Sequence, residues 1–180
     1  VTIEAQNNFN IDLIKPKNKF ALHLALYPYC FSYENSKTSS APLFILMGDK
    51  DYLPHEVCEE YIKTQEDLGN KNKKLVLFPG ATHSFDKHGS GYVDGSIVSP
   101  ECRIYTDNKG ELWVKPNDPK KWINITANGG WFGKKGDKKN YKNAMRICWG
   151  YGPSLTERND NAYKQTIKIF KESVEKYLLN

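Results

Sequence analysis

"APLFILMGDKD", residues 41–51, joins a continuous apolar run to a turn that carries two carboxylates. The run is short and bounded by turn formers, Pro42 before it and Gly48 at its end, so it reads as a strand buried on both faces. Two further runs share the pattern. "KFALHLALYP" (19–28) ends at Pro28, and "KKLVLFPG" (73–80) ends at Pro79 and Gly80. Between the second and third, "LPHEVCEEYIKTQEDLG" (53–69) spaces Val57, Tyr61, Ile62 and Leu68 at helical intervals, with Pro54 near the start and Gly69 as the stop. A strand, a helix and a strand in that order predict a right-handed crossover between neighbouring parallel strands. The expectation is an α/β fold.

Working outward, "NAYKQTIKIFKESVEKYLL" (161–179) repeats the helical pattern through Ala162, Ile167, Phe170, Val174 and Leu178, the face expected to lie on the sheet. From Asp86 to about Pro153 the periodicity fails. All four tryptophans, Trp113, Trp122, Trp131 and Trp149, fall in that stretch. "IYTDNKGELWV" (104–114) within it predicts a hairpin around Asn108, Lys109 and Gly110, and "NGGWFGKKGDKKN" (128–140) an exposed loop. The segment is also the basic part of the chain: from Arg103 to Arg146 there are eleven Lys or Arg and four Asp or Glu, an excess of +7 that exceeds the +5 of all 180 residues. The predicted organisation is one domain over 1–180, with a core at about 1–85 and 154–180 and an aromatic, basic insertion at about 86–153.

A hydrophobic content of 39% with 26% charged residues is ordinary for a globular chain, and no apolar stretch approaches the roughly 20 residues that cross a bilayer, so no membrane partner is expected. "VTIEAQNNF" (1–9) has neither a basic n-region nor an apolar h-region and does not read as a secretory signal. It also lacks an initiator Met, which suits a mature form or a fragment. Cys30, Cys58, Cys102 and Cys148 are far apart with no C-x-x-C pair, which argues against zinc. Two readings of them stand open: reduced, partly buried thiols, or two disulfides. If bridged, Cys102 with Cys148 is the pair expected, since both flank the irregular segment and a bridge closes it as a loop; an extracytoplasmic location follows from that bridge, a cytoplasmic one from its absence.

The chemistry gathers at strand ends. "FPGATHSFD" (78–86) places His83 four residues beyond Pro79, at the same carboxyl edge as Asp51, 32 residues earlier. An acid after one strand and a histidine after the next can meet there, the carboxylate accepting a hydrogen bond from one imidazole nitrogen while the other takes a proton. Asp51 could instead be the N-cap of the following helix, and His83 a turn histidine. Asp49 is expected to be a solvated turn residue.

On these residues the sequence resembles the carboxyl-terminal half of the dienelactone hydrolase family, within the α/β-hydrolase fold. "FALHLALYPYC", "APLFILMGDKDYLPHEVCEEY" and "LVLFPGATHSFD" carry the likeness over residues 20–86, and the final helix more loosely. In that family the acid closes a G-x-x-D turn, here Gly48 to Asp51, and the base stands in an A-x-H-x-F turn, here Ala81 to Phe85. The resemblance implies that the strands are the last three of the hydrolase sheet, that Asp51 and His83 are triad acid and base, and that a small carboxylic ester or lactone is the substrate, with no cofactor.

The family order is nucleophile, acid, histidine, yet no G-x-S-x-G or G-x-C-x-G occurs in the chain. "HGSGYVDG" (88–95) has His88 where the first glycine belongs and follows His83; Cys30 lacks flanking glycines and reads as a buried structural thiol. The expectation is a nucleophile upstream of Val1, "VTIEAQNNF" being part of the helix after it, and an inactive isolated fragment. His23 reads as a satisfied sheet residue and His55 as part of a first helical turn; His88 with His83 lacks a third ligand. "NIT" at Asn124 fits a glycosylation acceptor. The insertion's aromatics could wall a pocket, although most read as the miniature core of a self-packed subdomain. Two alternatives keep parts of this reading: a noncatalytic binding module whose insertion takes polysaccharide or nucleic acid, the latter weakened by the absence of a nucleic-acid motif, or a serine peptidase fragment of the prolyl oligopeptidase type.

Overall fold

Six residues, Leu43–Gly48, form the strand on which the fold is built. In the computed structural model, which describes residues 15, 17–30, 32–33, 38–94, 97–98, 102–107, 109, 111–115, 120, 122–124, 146, 148–150 and 153–179, this strand (β3) lies between β1 (His23–Leu26) and β4 (Lys73–Phe78). Both pairings are parallel, His23 standing opposite Leu43 and Leu43 opposite Lys73. The three apolar runs are therefore the three strands. Among the described residues two helices cover them, α1 (His55–Asp67) as the β3–β4 crossover and α2 (Asp160–Leu178) after β11 (Pro153–Glu157).

Strand alternation decides which helix each side chain meets. Leu43, Ile45 and Met47 pack with Ala25 and with Val57, Cys58 and Tyr61 of α1, whereas Leu46 packs with Phe78, Ala81, Phe85 and Ala162 of α2. Leu43, Ile45, Leu46 and Met47 are wholly buried. Removing each from water contributes about 2 kcal/mol, and this is why the strand carries no polar face.

The helices differ from expectation in their buried faces. On α1, Val57, Cys58, Tyr61 and Gln65 are buried and Ile62 packs on their cluster, but Leu68 follows the last turn and is half exposed. On α2 the inward residues are Ala162, Thr166 and Ser173, while Ile167, Phe170 and Leu178 face outward. Its start sets the rotation: Asn159 N–H donates to Phe85 O (2.9 Å), the Asn159 side chain accepts from Ala162 N–H (3.0 Å), and Ala162 is thereby driven against Phe85. Ile169 then packs on the same cluster, and Tyr177 meets Phe44 at 6.3 Å between ring centroids.

The segment after His83 leaves and returns as a ladder. Strand β5 (Ser90–Asp94) pairs antiparallel with β11 (Pro153–Glu157), Ser90 opposite Glu157. Between them, β7 (Arg103–Thr106) and β8 (Leu112–Lys115) form the expected hairpin, its turn fastened by Asp107, whose carboxylate accepts from Lys109 N–H and Glu111 N–H (both 2.9 Å). β2 (Ser32–Tyr33) and β9 (Ile123–Asn124) flank this hairpin, and β6 (Ile97–Val98) pairs with β10 (Trp149–Gly150). Cys102 and Cys148 are bridged and, with Val114 and Ile123, make the small core of this region. The expected tryptophan core is not what the described residues show: Trp113 Nε1 donates to Asp107, and Trp122 is half exposed beside the Lys115 ammonium. The predicted loop 128–140 and the stretch 1–9 lie outside the described residues. Among those described, no helix is long and apolar enough to cross a membrane.

Candidate active site

Gly48 ends β3 because nothing larger fits. A Cβ there would stand 1.9 Å from the carbonyl oxygen of Ala81, so the backbone after β4 crosses directly over the end of β3. Backbone bonds lace the two turns, Asp49 N–H to Phe78 O (3.2 Å) and Lys50 N–H to Ala81 O (3.0 Å). Asp49 adds a third tie by accepting from Gly80 N–H at 2.7 Å. It is thus a structural acceptor rather than a merely solvated turn residue.

This lacing delivers Asp51 and His83 to one another. Nδ1 of His83 lies 3.0 Å from Oδ1 and 3.1 Å from Oδ2 of Asp51, whose side chain is 1% exposed against 16% for the imidazole. Asp51 also accepts from Leu53 N–H (2.8 Å), holding its own turn. It is not the cap of α1, which is preceded by Pro54 with no side-chain cap. A carboxylate facing Nδ1 accepts, so the neutral ring carries its proton on that nitrogen and leaves Nε2 basic. Nε2 makes no hydrogen bond with the described residues. The two sequence-predicted site residues are therefore brought together, with the basic nitrogen unspent.

Two residues that sequence reasoning missed complete the surroundings. The Tyr27 ring lies 4.5 Å from the imidazole centroid at 58°, and the Tyr52 ring 4.4 Å away at 34°. Tyr27 OH donates to Asp86 Oδ1 (3.1 Å). Burial, then the Asp86 charge, raises the Tyr27 hydroxyl above its usual range; burial, then the Asp51 charge, does the same for Tyr52. The only signal in the sequence is position, Tyr27 one residue past a strand and Tyr52 beside the acid. Beside Asp51 opens a cleft of ≈ 590 Å³ whose walls include Asp49, Asp51, Tyr52, Thr82 and Glu157, on the side of β11; His83 is not among its lining residues.

The other candidates resolve as follows. Cys30 is wholly buried, as expected, but it is bridged to Cys58 and is not a thiol; the bridge ties the loop after β1 to α1. With Cys102–Cys148 also formed, the described residues hold no free cysteine. His23 is buried in β1, and burial with the nearby Lys73 charge lowers it to about 4, so it stays neutral. His55 opens α1 within 4.0 Å of Glu56 and 3.8 Å of Glu59. No group of three or more metal-ligating side chains occurs among the described residues. Asn124 donates to Glu111 Oε2 at 2.8 Å. Compared with known proteins, the chain matches no family model, no curated protein and no solved structure.

Proposed function

We propose that this chain supplies the acid and the base of a serine- or cysteine-dependent hydrolase of small carboxylic esters or lactones, the nucleophile coming from a segment ahead of Val1. One observation carries the reading: Asp51 and His83 meet through Nδ1 at the carboxyl edge of a parallel sheet, in the order acid then histidine. In the intact enzyme, Nε2 of His83 takes the proton of the attacking hydroxyl or thiol and later gives it to the leaving oxygen. Asp51 holds the ring with Nδ1 protonated and stabilises the imidazolium. Water then releases the acyl group. The two disulfides support an oxidising, extracytoplasmic setting for this chemistry.

The test begins upstream. About 150 codons before Val1, a domain-sized stretch, should encode a G-x-S-x-G or G-x-C-x-G elbow. The longer protein should hydrolyse 4-nitrophenyl acetate or a small lactone, and His83→Ala or Asp51→Asn should lower kcat by about 10³ to 10⁴-fold. An upstream sequence without an elbow, or activity untouched by both substitutions, overturns the proposal.

A further inference from the structure

Tyr27 stands in a conformation that disfavours its side chain. Its φ is +39°, and Ser84, the residue after His83, has a φ of +59°; with Lys15 they are the described non-glycine residues at positive φ. For a bulky aromatic residue the left-handed region is strained, a cost that glycine would not carry. Strain of this kind is tolerated where the surroundings fix it, and here they do. Tyr27 N–H donates to Leu46 O (2.7 Å), its hydroxyl to Asp86, and its ring sits edge-on to Phe85 at 5.7 Å. With the backbone so turned, the ring centroid stands 4.5 Å from that of the imidazole.

Tyr52 reaches the imidazole from the β3–α1 turn, beside Asp51, whereas Tyr27 comes from the end of β1. The two arms are covalently joined, because Cys30, three residues after Tyr27, is bonded to Cys58 in the first turns of α1. Cys30 and Cys58 are wholly buried in the core that also holds Ile45 and Met47.

We infer that Tyr27 and Tyr52 are positioning residues that clamp the His83 ring so that Nδ1 meets Asp51 while Nε2 stays presented, and that the Cys30–Cys58 bridge holds the two jaws together. A hydrogen bond along one ring nitrogen leaves the imidazole free to pivot about that contact; two aromatic rings with centroids 4.5 and 4.4 Å from its own restrict that freedom. An imidazole confined this way loses little orientational entropy when it must accept a proton. The clamp deepens the proposed acid and base roles but is measurable without any substrate.

The experiment is a long-range proton–nitrogen NMR spectrum of the ¹⁵N-histidine-labelled, disulfide-intact chain at neutral pH. The wild type should show His83 as one tautomer protonated at Nδ1, with its carbon-bound protons shifted upfield by the flanking rings. Tyr52→Leu and Tyr27→Leu should each bring tautomer exchange and partial loss of the upfield shift; Tyr52→Phe and Tyr27→Phe should restore both. Cys30→Ser with Cys58→Ser should give the leucine pattern. Should Tyr27→Leu fail to fold, the partly exposed Tyr52 carries the test alone. Leucine variants with an unchanged His83 tautomer and shift overturn the clamp. Asp51→Asn is the separate control: if it leaves the tautomer unchanged, the acid–histidine reading fails whatever the tyrosines do.

Discussion

The two ends of the parallel sheet both bury ionisable side chains, and they do it in opposite ways. At the carboxyl end an acid faces an imidazole, each satisfying the other. At the amino end two basic groups share one row across the strands: His23 and Lys73 both register with Leu43. Lys73 is 1% exposed and its ammonium is held by the carbonyls of Ser39 (3.0 Å) and Ala41 (3.1 Å). Carbonyl dipoles compensate burial only in part, so burial lowers Lys73 to about 8, and burial together with the Lys73 charge lowers His23 to about 4. A buried acid and imidazole can share a hydrogen bond, whereas beside the Lys73 charge the neutral form is the cheaper one for His23. The first arrangement orients an imidazole; the second fastens a loop to a sheet.

Breaking the backbone that sustains the carboxyl end should have the largest effect. Gly48→Ala drives a methyl into the Ala81 carbonyl, and neither turn can yield without giving up the lacing between them. A loss of about 4 kcal/mol or more is expected, with the His83 tautomer signature lost as well; urea unfolding and NMR check both. An unchanged urea midpoint would contradict the close approach.

At the amino end the difference is sharpened by pH. A cation whose folded pKa lies below its unfolded one binds more protons when unfolded, so stability rises with pH across the gap. For Lys73 that gap runs from about 8 toward its usual value of 10.5. Above about 10, where unfolded tyrosines ionise, the slope reverses, because burial raises Tyr29 to about 12. Lys73→Met should abolish the rise between pH 8 and 10. For His23 the window runs from 6.5 down to about 4, stability falling as the medium is acidified. His23→Leu should flatten that fall. Each term is worth at most about 3 kcal/mol, read as the difference between wild-type and variant unfolding curves over pH.

The smallest expected effect separates the two aspartates of the opening turn. Asp49→Ala removes one acceptor, that of Gly80 N–H, and should cost about 1 kcal/mol. It should leave the His83 tautomer as in wild type. A change in that tautomer would make Asp49 part of the site rather than of its frame.

What the sequence made legible follows from how local its physics is. The three strands, the crossover and the meeting of Asp51 with His83 rest on apolar runs and on turns at fixed spacing, and each run holds a strand, although the first strand takes only His23–Leu26 of residues 19–28. The Cys102–Cys148 bridge was readable because both ends of one segment carry it. Rotation of α2 was not, since a helix with apolar residues all along it is aimed by its cap, and the bond from Asn159 N–H to Phe85 O spans 74 residues. Tyr27 was hidden for a similar reason: nothing in "LALYPYC" announces that the chain turns left-handed at that residue. The partnership of Cys30 with Cys58 depends on two elements meeting on one face of the sheet, which spacing alone does not encode.

Ser90 and Glu157 stand face to face where the excursion from the core begins and ends. Closing such a detour costs an entropy that grows only with the logarithm of the residues enclosed, and the fold ties it to the core again through β7 on β2 and Arg103 on Glu60. The ladder of β5 and β11 thus works as a doorway: its threshold, seven residues past His83 at Ser90 and held by Arg158 N–H on Gly89 O at 3.2 Å, closes at the same place whatever the length of chain beyond it.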